Sequence, residues 1–232
     1  MCGGIPAPRE IPSRDTIGFM AQLKDKAEES VRRYVEAFVG NNRAARFLKE
    51  ELERIGVGLF PLVDHITVRT LDVDRRAKEF LGLGFRWDRT AGKKGVLQYD
   101  DWWAKVYRKA GLPAVFIDQA FEGPRGKTSV IPPWVQRFSD KVLHHIAVRV
   151  GEIDTAVATL KKRGIPFAGG IVGAKGGDLR QVFTAADVKG GHPFTVVEII
   201  ERHRGYAGFS PPSADSLMKS SVITAKPTSH GV

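Results

Sequence analysis

Two histidines stand at matching places in a duplicated stretch of this chain, and one glutamate interrupts an apolar run near its end. Val63-Asp64-His65-Ile66-Thr67-Val68-Arg69-Thr70 answers to Leu143-His144-His145-Ile146-Ala147-Val148-Arg149-Val150 at a constant spacing of 80 residues. The same spacing pairs Asp74 with Asp154 and Gly84 with Gly164. A lone buried histidine is ordinarily a hydrogen-bonded core residue, but two at equivalent repeat positions favour a shared task. In Phe194-Thr195-Val196-Val197-Glu198-Ile199-Ile200-Glu201, burying Glu198 without a cation would be costly. His65, His145 and Glu198 together are the donor set of a divalent metal site; His, His and carboxylate with open positions suit non-haem Fe(II) oxygen chemistry.

Side chains alternate between the two faces of a strand. Ile66 and Val68 therefore point toward a covering helix, and His65, Thr67 and Arg69 point the other way. In the second copy Ile146, Val148 and Val150 take the helix side, and His145, Ala147 and Arg149 share the opposite face. Each copy so places a His and an Arg on the concave side of its sheet. His144 is expected on the helix side or at a partner contact. His192, His203 and His230 fall in loops or the tail, and Glu201 is expected to be exposed at its strand end.

The elements that must position these groups follow from periodicity. After the Gly- and Pro-rich start, residues 15–57 carry Leu23, Ala27, Val31, Tyr34, Val35 and Phe38, then Phe47, Leu48 and Leu52, at helical spacing, with Gly40-Asn41-Asn42 breaking the run into two helices. From residue 62 the texture changes to short strands around single amphipathic helices, 71–82 and 152–163. Strands are expected at 96–99, 103–108 and 114–119 in the first copy, and at 179–184 and 194–201 in the second. A repeat of this length is too long for a solenoid and points to a duplicated βαβββ module. The expected fold class is α+β: two paired modules forming a cupped mixed sheet, with a helical lead-in. The division reads 1–14, a flexible N-terminus; 15–60, the lead-in; 61–123, the first module; 124–142, a linker; 143–205, the second module; and 206–232, a segment covering the cup with a disordered end past 222.

Composition narrows the classes. The chain has 232 residues, a formal charge of +10 and one cysteine, Cys2. An internal disulfide is excluded, and the reading is a cytoplasmic chain with no signal peptide and no membrane span. Basic residues are scattered singly or in pairs such as Arg32-Arg33 and Lys93-Lys94, which suits a solvated surface rather than nucleic acid. Gly169-Gly170-Ile171-Val172-Gly173-Ala174-Lys175-Gly176-Gly177 lacks the Gly-Lys-Ser/Thr ending of a phosphate loop and reads as a mobile loop at the cup mouth. Trp102, Trp103 and Tyr107 suit either a pocket wall or core packing. A homodimer is compatible with the sequence.

These motifs resemble the vicinal-oxygen-chelate superfamily, which duplicates a βαβββ module around a metal. Leu143-His144-His145-Ile146-Ala147-Val148, Leu179-Arg180-Gln181-Val182-Phe183-Thr184 and Val197-Glu198-Ile199-Ile200-Glu201-Arg202, with Gly208-Phe209 and Leu217 beyond, are similar to the C-terminal half of the 4-hydroxyphenylpyruvate dioxygenase family. His65 to Arg69 and Leu112-Pro113-Ala114-Val115-Phe116-Ile117 resemble the 2-oxoadipate dioxygenase/decarboxylase (hydroxyglutarate synthase) family. The resemblance implies Fe(II) on His65, His145 and Glu198, and oxidative decarboxylation of a 2-oxo acid with O2. It implies Arg69 on a substrate carboxylate, with Arg149 as the repeat alternative, Gln181 near the substrate and Phe209 closing the pocket. A glyoxalase-like isomerase or epimerase on Zn, Ni, Co or Mn is the alternative. The repeat spacing would then offer Asp118, opposite Glu198, as a fourth ligand. A non-enzymatic binding protein of the same fold is the third reading.

Overall fold

Helix α1 (Arg14–Asn41) and helix α2 (Arg43–Arg54) open the computed structural model, which describes residues 14–209 and 211–225, with side chains for 25–209 and 214–225. The break between them is chemical: the Asn42 side chain accepts from the Ala45 backbone N–H and starts α2, a standard role for Asn at a helix N-terminus. Cys2, His230, the Leu23 side chain and the start expected to be loose, Arg14 apart, lie outside the described residues.

The first module runs β1 (Val63–Arg69), α3 (Val73–Gly82), β2 (Arg86–Trp87), β3 (Leu97–Gln98), β4 (Trp102–Arg108) and β5 (Ala114–Ala120). Helix α4 (Ile131–Phe138) occupies the connection between the modules. The second module runs β6 (His145–Arg149), α5 (Ile153–Lys162), β7 (Leu179–Phe183), the small hairpin β8 (Val188–Lys189) and β9 (His192–Pro193), and β10 (Val196–Arg202); helix α6 (Pro211–Ser220) follows. In each module the helix leads back to the sheet through a glycine in the left-handed region, Gly84 at φ +83° and Gly164 at φ +81°, a conformation other residues rarely adopt.

One mixed sheet holds both modules, ordered β2-β4-β5-β1-β6-β10-β7 with β3 beside β4. Each first strand lies parallel to the last strand of its own module, β1 to β5 and β6 to β10. The modules join where β1 and β6 run antiparallel, with Ile66 directly opposite Ile146. That pair marks the pseudo-twofold of the duplication. Both isoleucines are fully buried on the helix side, among Phe80 of α3, Val157 and Leu160 of α5 and Val31 and Val35 of α1. Burying a side chain of this size contributes roughly 1.5–3 kcal/mol, so the seam is held by its helix face. The other face curves into a cup, covered by Trp134 of α4 and by Phe209, Ala214, Leu217 and Met218 of the C-terminal segment.

The tail departs from expectation just past residue 222. Ala186 N–H donates to Ile223 O at 2.8 Å, and Thr224 forms a parallel bridge with Ala186, so Ile223 and Thr224 are tied to the second module; residues 226–232 lie outside the described residues. The glycine-rich segment is also tied down: Val172 exchanges backbone hydrogen bonds with Gln181, and Gly173 packs so closely that an added Cβ would stand 2.2 Å from Leu179 O. No helix among the described residues is long and apolar enough to cross a membrane.

Candidate metal centre

Cross-strand register explains how residues far apart in sequence converge. His65 lies opposite Ala147, which lies opposite Glu198, giving one row across β1, β6 and β10. In the adjoining row Thr67 faces His145, which faces Val196. Ala147 stands between His65 and Glu198 with only a methyl group, leaving the space into which their side chains lean. The three donors lie within 4.8 Å of one another. Glu198 Oε2 is 3.3 Å from Nε2 of His65 and 3.3 Å from Nε2 of His145. Three donors each about 2.1 Å from one cation, at right angles, would stand roughly 3.0 Å apart.

Both imidazoles are held so that Nε2 faces the cavity. His65 Nδ1 is 3.0 Å from Asp64 Oδ1. His145 Nδ1 is 2.9 Å from His144 Nδ1. Burial, reinforced by Arg69 and His145, pushes the His144 imidazole well below its ordinary range, so it stays neutral and can accept a proton carried on His145 Nδ1. Outer hydrogen bonds of this kind fix the tautomer that leaves Nε2 free for a metal. Thr67 Oγ1, at 2.8 Å from His145 Nε2, adds a hydroxyl beside the donors.

The charges also fit a cation. Burial alone would raise the Glu198 carboxyl, but the two imidazoles outweigh it and hold it at about 2. Glu198 Oε1 is buried with no hydrogen-bond partner. Burial lowers His145 to about 4, the opposing pull of Glu198 notwithstanding. His65 moves the other way: burial lowers it, but Glu198 and Asp64 together leave it raised. A buried carboxylate facing imidazole nitrogens, with one oxygen unsatisfied, is the situation a divalent ion resolves.

Asp64 carries no role in the sequence reading beyond its place in the motif. Strand alternation would put it on the face away from His65. A bulge between Val63 and His65 re-aims it, as bulges beside sites commonly do. Its carboxylate is buried and accepts from Arg202 through two bonds of 2.9 Å and from Arg149 Nε at 3.1 Å. Burial would raise this carboxyl, yet His65 and Arg202 hold it far below the usual range.

A cavity opens from the donors, lined also by Arg69, Tyr99, Trp102, Phe116, Asp118, Gln181, Phe183 and Phe209. Phe209 stands edge-on to His65 at 5.2 Å and to Phe116 at 5.0 Å. Arg69 is buried, with Nη2 donating to Met218 Sδ at 2.9 Å and to Ser221 Oγ at 3.1 Å. Burial lowers its guanidinium to about 10, against the pull of Asp118.

The structure thus brings His65, His145, Glu198, Arg69, Gln181 and Phe209 to one cavity. Arg149 is not among them: its side chain is 57% exposed and pairs with the Asp64 carboxylate. His144 is corrected as well. It sits just ahead of the regular pleat of β6 and turns into the cavity, edge-on to Trp134 at 5.5 Å. Glu201 is buried rather than exposed, accepting from the Ile153 N–H at 2.6 Å and pairing with Arg180 and His203. Of the three aromatic candidates only Trp102 lines the cavity; Trp103 and Tyr107 pack in the helix-side layer. Asp118 is no fourth ligand. It lies opposite Arg69, and Phe116, opposite Thr67, holds the place in β5 that Glu198 holds in β10. The constant spacing slips by two residues between the last strands.

No protein-family model matches the sequence, and no curated protein matches it. Solved structures do match. A provisionally named hydrolase from Shewanella frigidimarina aligns with TM-score 0.66 at 17% identity, over 80% of this chain and 98% of that one. A provisionally named glyoxalase-superfamily protein from Ralstonia eutropha gives 0.59 at 13% identity, over 77% and 83%. The chain has the vicinal-oxygen-chelate fold. Hydroxyglutarate synthase from Oryza sativa, solved in complex with 2-oxoadipate, gives 0.59 at 16% identity and spans 96% of this chain and 98% of that one. At these identities the likeness is one of fold, and the vicinal-oxygen-chelate cup of this chain carries its own donor set at the junction of its modules.

Proposed function

We propose that this chain is an Fe(II)- and O2-dependent dioxygenase that oxidatively decarboxylates a 2-oxo acid. Overall, R–CH2–CO–COOH and O2 would give the hydroxy acid R–CH(OH)–COOH and CO2, which balances. The observation that carries the reading is the ligand count. His65, His145 and Glu198 offer three protein donors, and Phe116 stands where the duplication would otherwise put a fourth. Three protein donors leave positions for a chelating substrate and O2, whereas a fourth would take one of them. The likeness to a fold neighbour solved with 2-oxoadipate is in keeping with such a substrate.

Iron, when bound, supplies the reactivity toward O2. The chain supplies the rest. Asp64 and His144 hold the two imidazoles in the tautomer that presents Nε2. Glu198 contributes the negative charge that favours a divalent ion. Phe116, Phe209, Phe183 and Trp102 keep water from the cavity, which strengthens every charge interaction inside it. Arg69 and Gln181 orient the substrate, Arg69 as a buried hydrogen-bond donor facing the cavity.

The test is direct. Anaerobic protein loaded with Fe(II) is mixed with a panel of 2-oxo acids, and the charge-transfer absorption of a chelated 2-oxo acid and substrate-linked O2 uptake are recorded. Both are expected for at least one acid and absent in H65A. Silence across a broad panel, with iron bound, would reject the assignment and favour the isomerase or the non-enzymatic binding protein.

A further inference from the structure

Resting on the 2-oxo acid reading, we propose that Arg69, Asp118 and Tyr99 form a selectivity pole. It takes the far end of the substrate when that end is uncharged and can both donate and accept hydrogen bonds, as a carboxamide or hydroxyl can, and it rejects a second carboxylate.

The observation is a concentration of unmet hydrogen bonds. Among the described residues five buried side-chain N or O atoms lack a partner: Arg69 Nε, Tyr99 Oη, Asp118 Oδ1, Arg180 Nε and Glu198 Oε1. Four of the five belong to residues lining the one cavity. A metal accounts for Glu198. Nothing in the chain accounts for the other three, whose residues are only 1% exposed for Arg69, 2% for Asp118 and 4% for Tyr99. Buried polar groups are nearly always satisfied, so a cluster of unsatisfied ones facing a cavity marks where a ligand supplies the partners.

Their chemistry specifies that ligand. Arg69 Nε–H can only donate, Asp118 can only accept once it is ionised, above about pH 7, and the Tyr99 hydroxyl can do either. The ligand end must therefore accept from Arg69 and donate to Asp118. Arg69 is poorly placed to grip a carboxylate with both prongs, because Nη2 is engaged by Met218 and Ser221. Asp118 Oδ2, 3.9 Å from Arg69 Nε, already offsets the guanidinium charge. A second carboxylate would bring an uncompensated negative charge against Asp118. The pole is also separate from the metal. Arg69 and Asp118 face each other two positions along β1 and β5 from Thr67 and Phe116, so a single chain of carbons can touch the metal at one end and this pole at the other.

The experiment compares three ligands of equal chain length by calorimetry at about pH 8, where Asp118 is ionised, on anaerobic Fe(II)-loaded protein: 2-oxoadipate, its terminal amide, and 2-oxohexanoate. The amide is expected to bind about tenfold or more tighter than either of the others. D118N removes the negative charge and should shift the amide-to-carboxylate ratio about tenfold or more toward 2-oxoadipate, with iron content unchanged. Y99F, which keeps the ring and its stacking on Trp102, should weaken the amide alone, and it decides the matter should D118N fail to fold. Binding that depends on His65 but shows no preference for the amide, or a ratio unmoved in the variants, overturns the pole and leaves the dioxygenase reading standing. No His65-dependent binding of any of the three overturns the pole, and the dioxygenase reading falls only if the broad panel of 2-oxo acids is silent as well.

Discussion

Phe116 occupies in the first module the place that Glu198 occupies in the second: each lies opposite the residue two positions after its module's histidine, Thr67 and Ala147 respectively. The duplication has kept two histidines and one carboxylate, and has filled the other carboxylate position with a ring that packs against His65 and Phe209. That asymmetry sets the number of open positions on a bound metal.

Restoring the symmetry should change the chemistry. F116E is expected to raise affinity for Zn(II) about tenfold or more, by adding a fourth protein donor, and to abolish chelation of 2-oxo acids. Metal-free F116E should be less stable by roughly 3 kcal/mol or more, because a buried ring is exchanged for an unpaired carboxylate. Zinc titration and thermal melts with and without metal check this. Unchanged zinc affinity in a folded variant would show that position 116 does not face the metal.

The outer hydrogen bond to His65 should matter for affinity more than for fold. D64N keeps size and shape but weakens the hold on the imidazole and on Arg202. Its metal affinity is expected to fall by about 10- to 100-fold, the usual effect of losing a partner behind a ligand. Competition with a chelator of known affinity measures it. An unaltered constant would mean that Asp64 serves the fold alone.

Ala147 is the gap in the ligand row. A147L would place a larger side chain between His65 and Glu198, with overpacking of about 1–3 kcal/mol, and bound metal should drop to trace levels while the far-UV circular dichroism stays native. Full metal occupancy in A147L would contradict the convergence described for these rows.

Asp118 gives the metal-free protein a pH signature. Burial raises its carboxyl from 3.8 to about 7, with Arg69 pulling the other way. From about pH 4 to about pH 7 the folded chain therefore keeps a proton that the unfolded chain has lost. The contribution of this group to stability is fully present below that window and is lost as pH rises through it, by ~4 kcal/mol at most. D118N cannot titrate, so its stability relative to wild type should improve from pH 4 to pH 8 in denaturant titrations. A difference that stays flat across the window would exclude a raised Asp118.

Much of this architecture is legible in the sequence because the duplication doubles its signals. Ile66 with Val68 and Ile146 with Val148 mark the helix side at period two, and the repeated His and Gly mark where each module begins and turns. What the sequence does not carry is anything that breaks the period. Asp64 reaches His65 through a bulge, and His144 sits before the pleat becomes regular; neither irregularity leaves a mark on residue type. Asp118 looks like the counterpart of Glu198 because a fixed spacing cannot register the two-residue slip between β5 and β10. Tyr99 lies ahead of β4, in a turn whose path only the fold determines. Glu201 reads as exposed at a strand end until the backbone N–H of Ile153, at the start of α5, is seen to meet it.

The proposed activity requires His65, His145 and Glu198 to hold one cation between them. Metal content of protein purified without oxygen and reconstituted with Fe(II), measured by mass spectrometry of the elements, tests this most directly. One tightly held metal per chain is predicted for the wild type, and essentially none for H65A, H145A or E198A, each still folded. A wild type that takes up no metal, or single variants that keep it at full occupancy, would contradict the claim.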